Sequence, residues 1–127
     1  ENIHVRSIVG NFLEHSRIFF FLNDGEEELY MGSADWMPRN LDRRVEILFP
    51  VLDDTLKEKV KHILDVELAD NTKAHVLKPD GEYEKIDRRG KVLVNSQKQF
   101  CEEAVAAVPK TDHVYRERVF VPAEPAE

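Results

Sequence analysis

His15, Arg17, Gly32 and Ser33 are the residues whose types and spacing could do chemistry in this chain. His15 and Arg17 stand two apart where the pattern turns into a strand. In extended backbone, residues two apart share a face, so an imidazole and a guanidinium would converge on one spot. Imidazole is the side chain whose unperturbed pKa suits proton transfer near neutrality. Guanidinium offers a rigid fork of donors matched to phosphate oxygens. Gly32 lets backbone approach an anion closely, and Ser33 adds a hydroxyl donor. Pairing across Asn23-Asp24-Gly25 would bring both elements to one sheet edge, as in an anion site built from strand ends. Taken alone, a histidine beside a serine is more often structural or exposed than catalytic. Arg39, Arg43 and Arg44 either bind phosphate or tie the loop down through salt bridges to Asp35 and Asp42.

Elements must position these side chains. Apolar residues at Ile8, Val9, Phe12 and Leu13 predict a short amphipathic helix over Ile3 to Leu13, weakened by Gly10. Ser16 to Leu22 reads as a strand, apolar almost throughout and so expected to be covered on both faces. Asn23-Asp24-Gly25 is a turn signal, and Glu28 to Met31 is the partner strand. Gly32 to Leu41 is a loop, in which Trp36 and Met37 read as packing residues. Arg44 to Val51 alternates into another buried strand. Asp53 or Asp54 caps a helix that begins near Thr55. That helix turns Leu56, Val60, Ile63, Leu64 and Val66 or Leu68 inward. Lys73 to Leu77 is a short strand, Pro79-Asp80-Gly81 a tight turn, and Tyr83 to Ile86 a returning hairpin strand. Asp87 to Lys91, with Arg88, Arg89 and Lys91, is a basic solvated loop. Asn95 or Ser96 caps a last helix running to about Ala107, with Cys101 as a small buried residue on it. This order predicts an α/β fold, with α+β as the alternative, built on a mixed sheet flanked by helices. One domain is expected over residues 1–108, followed by a mobile tail over 109–127 that contains Pro122 and Pro125.

Composition narrows the function. At 127 residues the chain is long enough for one modest core. Its 42% hydrophobic and 34% charged residues suit a water-soluble domain. No apolar run is long enough to span a bilayer. A net charge of −7 argues against a general nucleic-acid surface and requires any phosphate site to be local. Cys101 is the only cysteine, which excludes an intrachain disulfide and a thiolate zinc cluster and fits the cytosol. His4, His62, His75 and His113 have no partners at ligand spacing, so no metal site is expected. The chain begins at Glu1 without an initiator Met, which suggests a piece of a larger protein.

Two long stretches resemble the polyphosphate kinase family. The first is Ser7-Ile8-Val9-Gly10-Asn11-Phe12-Leu13-Glu14-His15-Ser16-Arg17-Ile18. The second is Gly32-Ser33-Ala34-Asp35-Trp36-Met37-Pro38-Arg39-Asn40-Leu41-Asp42-Arg43-Arg44-Val45-Glu46. The resemblance continues through the helix after Asp54 and through Asp70-Asn71-Thr72-Lys73-Ala74, to about Tyr83. It implies reversible transfer of the terminal phosphate of ATP to inorganic polyphosphate, through a phosphohistidine and with magnesium. It also implies a four-domain enzyme whose last two domains resemble the phospholipase D fold. This chain would be the second part of the final domain. His15 would be the family's second essential histidine, while the phosphorylated one lies in the preceding domain.

The phospholipase D pattern, His-x-Lys followed by Gly-Ser-x-Asn, is matched here by His15-Ser16-Arg17 and Gly32-Ser33-Ala34-Asp35. Arg17 for lysine still suits phosphate, whereas Asp35 for asparagine removes a donor and suggests a carboxylate that orients a neighbouring arginine. The resemblance thus implies a catalytic His15, and phosphate contacts from His15, Arg17, Ser33, Arg39, Arg43 and Arg44. ATP, ADP and polyphosphate would be its ligands, and the enzyme's other domains and further copies of it its partners. It would work in the cytoplasm, either free or peripheral at the inner membrane face. The fragment alone would be inactive. The alternative within the same fold is a phosphodiesterase or nuclease half-domain of the phospholipase D superfamily.

Overall fold

The segment expected to be helical from Ile3 to Leu13 instead contains strand β1 (Arg6–Ile8). The computed structural model, which describes residues 2–108, pairs β1 antiparallel with a strand far along the chain. β-Branched Ile3, Val5, Ile8 and Val9 favour extended backbone, and Gly10 disfavours a helix interior. Tertiary pairing therefore overrides the apparent helical spacing.

Strand β2 (Ile18–Phe21) returns through a 3-10 turn, Asn23–Gly25, into β3 (Glu28–Gly32). Asn23, Asp24 and Gly25 all take positive φ, at 45°, 55° and 98°. Asn, Asp and Gly are the residues that tolerate this region. A short helix α1 (Pro38–Arg43) interrupts what the sequence presents as a continuous loop. Pro38 stands at its first turn, where a missing N–H costs nothing. Strand β4 (Leu48–Pro50) is shorter than expected and exposed, although Val51 just after it is buried. Helix α2 (Asp54–Ala69) is capped by Asp53, whose carboxylate accepts from Leu56 N at 2.9 Å. Such a cap stabilises a helix by about 1 kcal/mol. The chain continues through β5 (Ala74–Leu77), the Gly81 turn, β6 (Tyr83–Lys85) and α3 (Ser96–Ala107). Asn95 caps α3 by accepting from Lys98 N at 3.1 Å. Cys101, expected inside, is exposed on this helix.

The strands form two three-stranded sheets, ordered β1-β5-β6 and β2-β3-β4, and all pairs are antiparallel. The architecture is thus the α+β form of the expected class. The parallel component of a mixed sheet is not among the described residues. Among the described residues, β1 and β2 each pair on one side only.

Period-two alternation puts Ile18, Leu29 and Met31 on one face of the second sheet. There they pack with Val51 and with Val60 of α2. Val60 is buried, and of the alternatives Val66 and Leu68 it is Val66 that turns inward, whereas Leu56, expected inward, is exposed. The opposite sheet face carries Phe19, Phe21, Tyr30 and Leu48, which line a broad open depression. The expected cover on both faces of β2 is therefore present on one only. No described element lies over the other.

Asp70 holds the remaining elements together. It is fully buried, and its Oδ1 accepts from the backbone N–H groups of Thr72, Lys73 and Ala74 at 2.9, 2.8 and 3.2 Å. Its Oδ2 accepts from Ser96 N at 2.8 Å and Ser96 Oγ at 3.0 Å. The end of α2, the start of β5 and the start of α3 thus share one carboxylate. Asn71 extends the joint by donating to Val92 O at 2.8 Å and accepting from Val94 N at 3.0 Å.

Candidate active site

The β2–β3 ladder runs one pair beyond its strands, with Gly32 N donating to Arg17 O at 3.0 Å. That bond brings His15-Ser16-Arg17 and Gly32-Ser33 to the same sheet end, as the turn signal predicts. A Cβ at Gly32 would lie 3.3 Å from Leu48 Cδ1, a tight contact with the end of a flexible side chain, and 3.4 Å from Ile47 O.

Arg17 and Asp35 form the centre of the site. Arg17 Nε donates to Asp35 Oδ1 at 2.7 Å, and its NH2 reaches the same oxygen at 2.5 Å. Arg17 NH1 also donates to the backbone oxygen of His15 at 2.9 Å. A guanidinium carries five N–H donors, so these contacts leave two uncommitted. The Arg17 hydrogen bonds hold the Asp35 carboxyl below the usual carboxylate range. Partial burial opposes this, while the Arg17 charge, a hydrogen bond with Asn40 and nearby His15 reinforce it. Asp35 for asparagine is thereby explained: the carboxylate orients an arginine. Asn40, on α1, is 1% exposed, and its Oδ1 has no partner among the described residues.

The structure does not bring all the sequence candidates together. His15 is exposed at the sheet end, beside the guanidinium, and the two share a backbone contact. Ser33 is close by, but its hydroxyl is occupied, donating to Glu46 Oε2 at 2.5 Å and accepting from Ile47 N at 3.0 Å. Arg39 and Arg43 lie exposed on α1, and Arg44 sits 3.9 Å from Glu46. None of the three pairs with Asp35 or Asp42 among the described residues, so the salt-bridge alternative for them is not formed, and Asp35 pairs with Arg17 instead. Trp36 is 81% exposed and stacks on Phe19 with ring centroids 6.2 Å apart. Its packing is thus one-sided.

Sequence reasoning missed Glu46, Asn40 and Gln97. Glu46 and Asn40 lie inside the second resembling stretch, but nothing in their spacing distinguishes a buried amide from a surface one. Gln97 lies 85 and 86 residues from the backbone it holds, a separation that no local pattern reports. Among the other histidines, His62 contacts Glu103 at 3.0 Å, and His75 Nδ1 is buried without a partner. His113 lies outside the described residues, as does the tail expected over 109–127. Arg89 is held by Asp87 at 2.9 Å in an exposed loop.

Comparison with known proteins fits this geometry. Residues 1–97 match the family model described as polyphosphate kinase C-terminal domain 2. The polyphosphate kinase of Lactiplantibacillus plantarum is 48% identical over 113 residues, which cover 89% of this chain and 16% of that protein. That of Pseudomonas aeruginosa is 53% identical over 108 residues, covering 84% of this chain and 16% of that protein. The crystal structure of polyphosphate kinase from Porphyromonas gingivalis superposes with a TM-score of 0.75 at 38% identity, over 83% of this chain and 16% of that one. The chain thus spans about one sixth of the length of these relatives. With the family model matched over residues 1–97, the chain belongs to the polyphosphate kinase family, as its C-terminal domain 2.

Proposed function

We propose that this chain supplies one half of a polyphosphate kinase active site, in an enzyme that reversibly transfers the terminal phosphate of ATP to inorganic polyphosphate. The observation that carries the reading is the Arg17–Asp35 pair at the exposed sheet end beside His15. A carboxylate fixes the guanidinium, which keeps two donors for a phosphate oxygen. In this reading a histidine elsewhere in the enzyme attacks the terminal phosphorus of ATP. A nitrogen–phosphorus bond forms, and the bond to the bridging oxygen of ADP breaks. His15 contacts the nucleotide phosphates and gives a proton to the leaving oxygen, taking one back in the reverse direction. Arg17 holds the phosphate. Arg39, Arg43 and Arg44, exposed on and after α1, line the approach of the polyanion. Ser33 joins only if phosphate displaces Glu46 from its hydroxyl.

The nearby residues do not fit a protein-held magnesium. Asp35 is committed to Arg17 and Glu46 to Ser33, leaving no pair of open carboxylates. Magnesium would arrive on the nucleotide phosphates. The uncovered face of Phe19, Phe21, Tyr30 and Leu48 supports docking onto the enzyme's other domains. Among the described residues no helix is long and apolar enough to cross a membrane. We place the enzyme in the cytoplasm.

In the full-length enzyme, His15→Ala should lower autophosphorylation from ATP by roughly 10²–10⁴-fold, the range of a lost general acid. Wild-type rates would remove His15 from the chemistry. The purified chain alone, given ATP, magnesium and polyphosphate, should release no ADP. Robust turnover would refute a divided site. Hydrolysis of a phosphodiester without ATP would instead favour the diesterase reading.

A further inference from the structure

Gln97 makes a set of contacts that the fold alone does not require. It stands in the first turn of α3 and is 8% exposed. Its Oε1 accepts from Asn11 N at 2.7 Å and from Phe12 N at 3.0 Å. Its Nε2 donates to Phe12 O at 2.8 Å and to Glu14 Oε1 at 2.7 Å. A primary amide has two acceptor lone pairs and two donor hydrogens, so all four positions are filled. Gly10 makes room for this. A Cβ there would lie 2.3 Å from Gln97 Oε1 and 2.4 Å from its Cδ.

The clamped segment leads directly into His15. Gln97 fixes Asn11, Phe12 and Glu14, and the β2–β3 ladder takes hold again at Arg17. Gln97 holds backbone as far as Phe12, so Leu13 to Ser16 lie between the two backbone anchors, with Glu14 held through its side chain. From within that gap, the His15 carbonyl is tied to Arg17 NH1. A four-residue span held at both ends, and through one side chain between them, loses part of its backbone freedom. The clamp thus narrows the range over which the backbone carrying the imidazole can move.

Glu14 braces the clamp from a third element. Its carboxyl lies beside that of Glu67 on α2 at one cavity, within reach of a hydrogen bond. Burial, that hydrogen bond and the Glu14 charge, in that order, push the Glu67 carboxyl up to about 7. Arg6, Glu14, Glu67 and Gln97 border one cavity of about 310 Å³, and Lys73 and Lys98 lie on the other side of the Gln97 amide. Segment 10–14, α2 and α3 therefore converge on the backbone that carries His15.

We infer that Gln97 is a positioning residue for His15, acting through its four hydrogen bonds to the segment from Asn11 to Glu14. The inference rests on the proposed role of His15. Displacing a reacting group by about 1 Å costs roughly 10²-fold in rate. Gln97→Leu keeps most of the volume and loses all four bonds. In the full-length enzyme it should lower kcat for autophosphorylation by roughly 10–100-fold. KM for ATP should stay within about threefold, because the other nucleotide contacts are untouched. Gln97→Glu keeps the two acceptor bonds but sets a carboxylate against Glu14. Its kcat relative to wild type should recover as pH is lowered and that carboxyl gains a proton to donate. A merely structural residue would not produce that recovery.

Gly10→Ala attacks the clamp from the other side and keeps Gln97 itself. It should lower kcat in the same sense, and it is the deciding variant if Gln97→Leu does not fold. Wild-type kcat in folded Gln97→Leu, or in Gly10→Ala where the leucine variant does not fold, overturns the clamp if His15→Ala is inactive. Wild-type kcat in His15→Ala would overturn the proposed function itself, and the clamp's role with it.

Discussion

Asp35 and Asp70 are both held below the usual carboxylate range, by opposite means. Asp70 is fully buried, and burial alone would raise it. Hydrogen bonds from Lys73, Ser96 and Thr72 outweigh that cost. Asp35 is partly open to solvent and owes its state chiefly to Arg17. The first carboxylate faces backbone N–H groups and the Ser96 hydroxyl. The second faces a guanidinium with donors to spare. A lowered carboxylate is therefore no mark of a catalytic site. Its partners differ: backbone partners make a joint, whereas a guanidinium with donors left over is what the proposed phosphate contact needs.

The largest effect should come from breaking the joint. Asp70→Ala would leave the N–H groups of Lys73, Ala74 and Ser96 near a cavity without the Asp70 acceptor, and Thr72 N with Val94 O alone. The expected loss is about 3–5 kcal/mol, the range for breaking a buried charged network, read as a fall in the urea midpoint. Acid should act in the same direction. Because the native pKa is lowered, the contribution of Asp70 is complete above the ordinary carboxylate range. It is lost as pH falls through the native value. Asp70→Ala should flatten that acid limb, and an unchanged limb would show that the joint does not titrate.

Glu67 supplies the opposite sign and a smaller effect. Its carboxyl is raised from 4.5 to about 7, so the folded chain holds a proton that the unfolded chain has released. Stability should decline as pH rises through that window, since the native state binds more protons there. Glu67→Gln keeps an amide beside Glu14 and removes the ionisation. Urea midpoints taken at about pH 5 and about pH 8 should converge in this variant and differ in the parent. Equal midpoints in the parent would mean that the Glu14–Glu67 pair is not formed in solution.

The joint and the site were not equally legible in the sequence. Local grammar reported the caps at Asp53 and Asn95, the turn at Asn23-Asp24-Gly25 and the hairpin at Gly81, because each is written within a few residues. His15, Arg17 and Ser33 stood out through spacing and were confirmed as neighbours at one sheet end. What they touch was less legible. Asp35 was correctly expected to orient an arginine, but the Ser33–Glu46 bond was not foreseen. The helix expected over Ile3 to Leu13 failed because β1 pairs with residues near position 75, a contact invisible to any local period. The same distance hid Gln97. The apolar run of β2 was read as covered on both faces, yet its second face is open among the described residues. Hydrophobicity reports that a face needs cover and says nothing of which part of a protein provides it.

The smallest effect on stability, and the sharpest test of the contrast, is Asp35→Asn. The side chain keeps its shape and an oxygen for Arg17, and it is partly solvated, so the urea midpoint should move little beside that of Asp70→Ala. Activity should not follow stability. Losing the negative charge frees Arg17 to leave His15 and to follow solvent or a phosphate in other geometries. Autophosphorylation in the full-length enzyme should fall by about tenfold or more, with most of the change in kcat/KM. Arg17→Lys should reproduce the loss, because an ammonium cannot hold Asp35, the His15 carbonyl and a phosphate in one plane. A large drop in midpoint with unchanged turnover in either variant would make Arg17–Asp35 a second structural joint. The distinction between the two aspartates would then be one of burial alone.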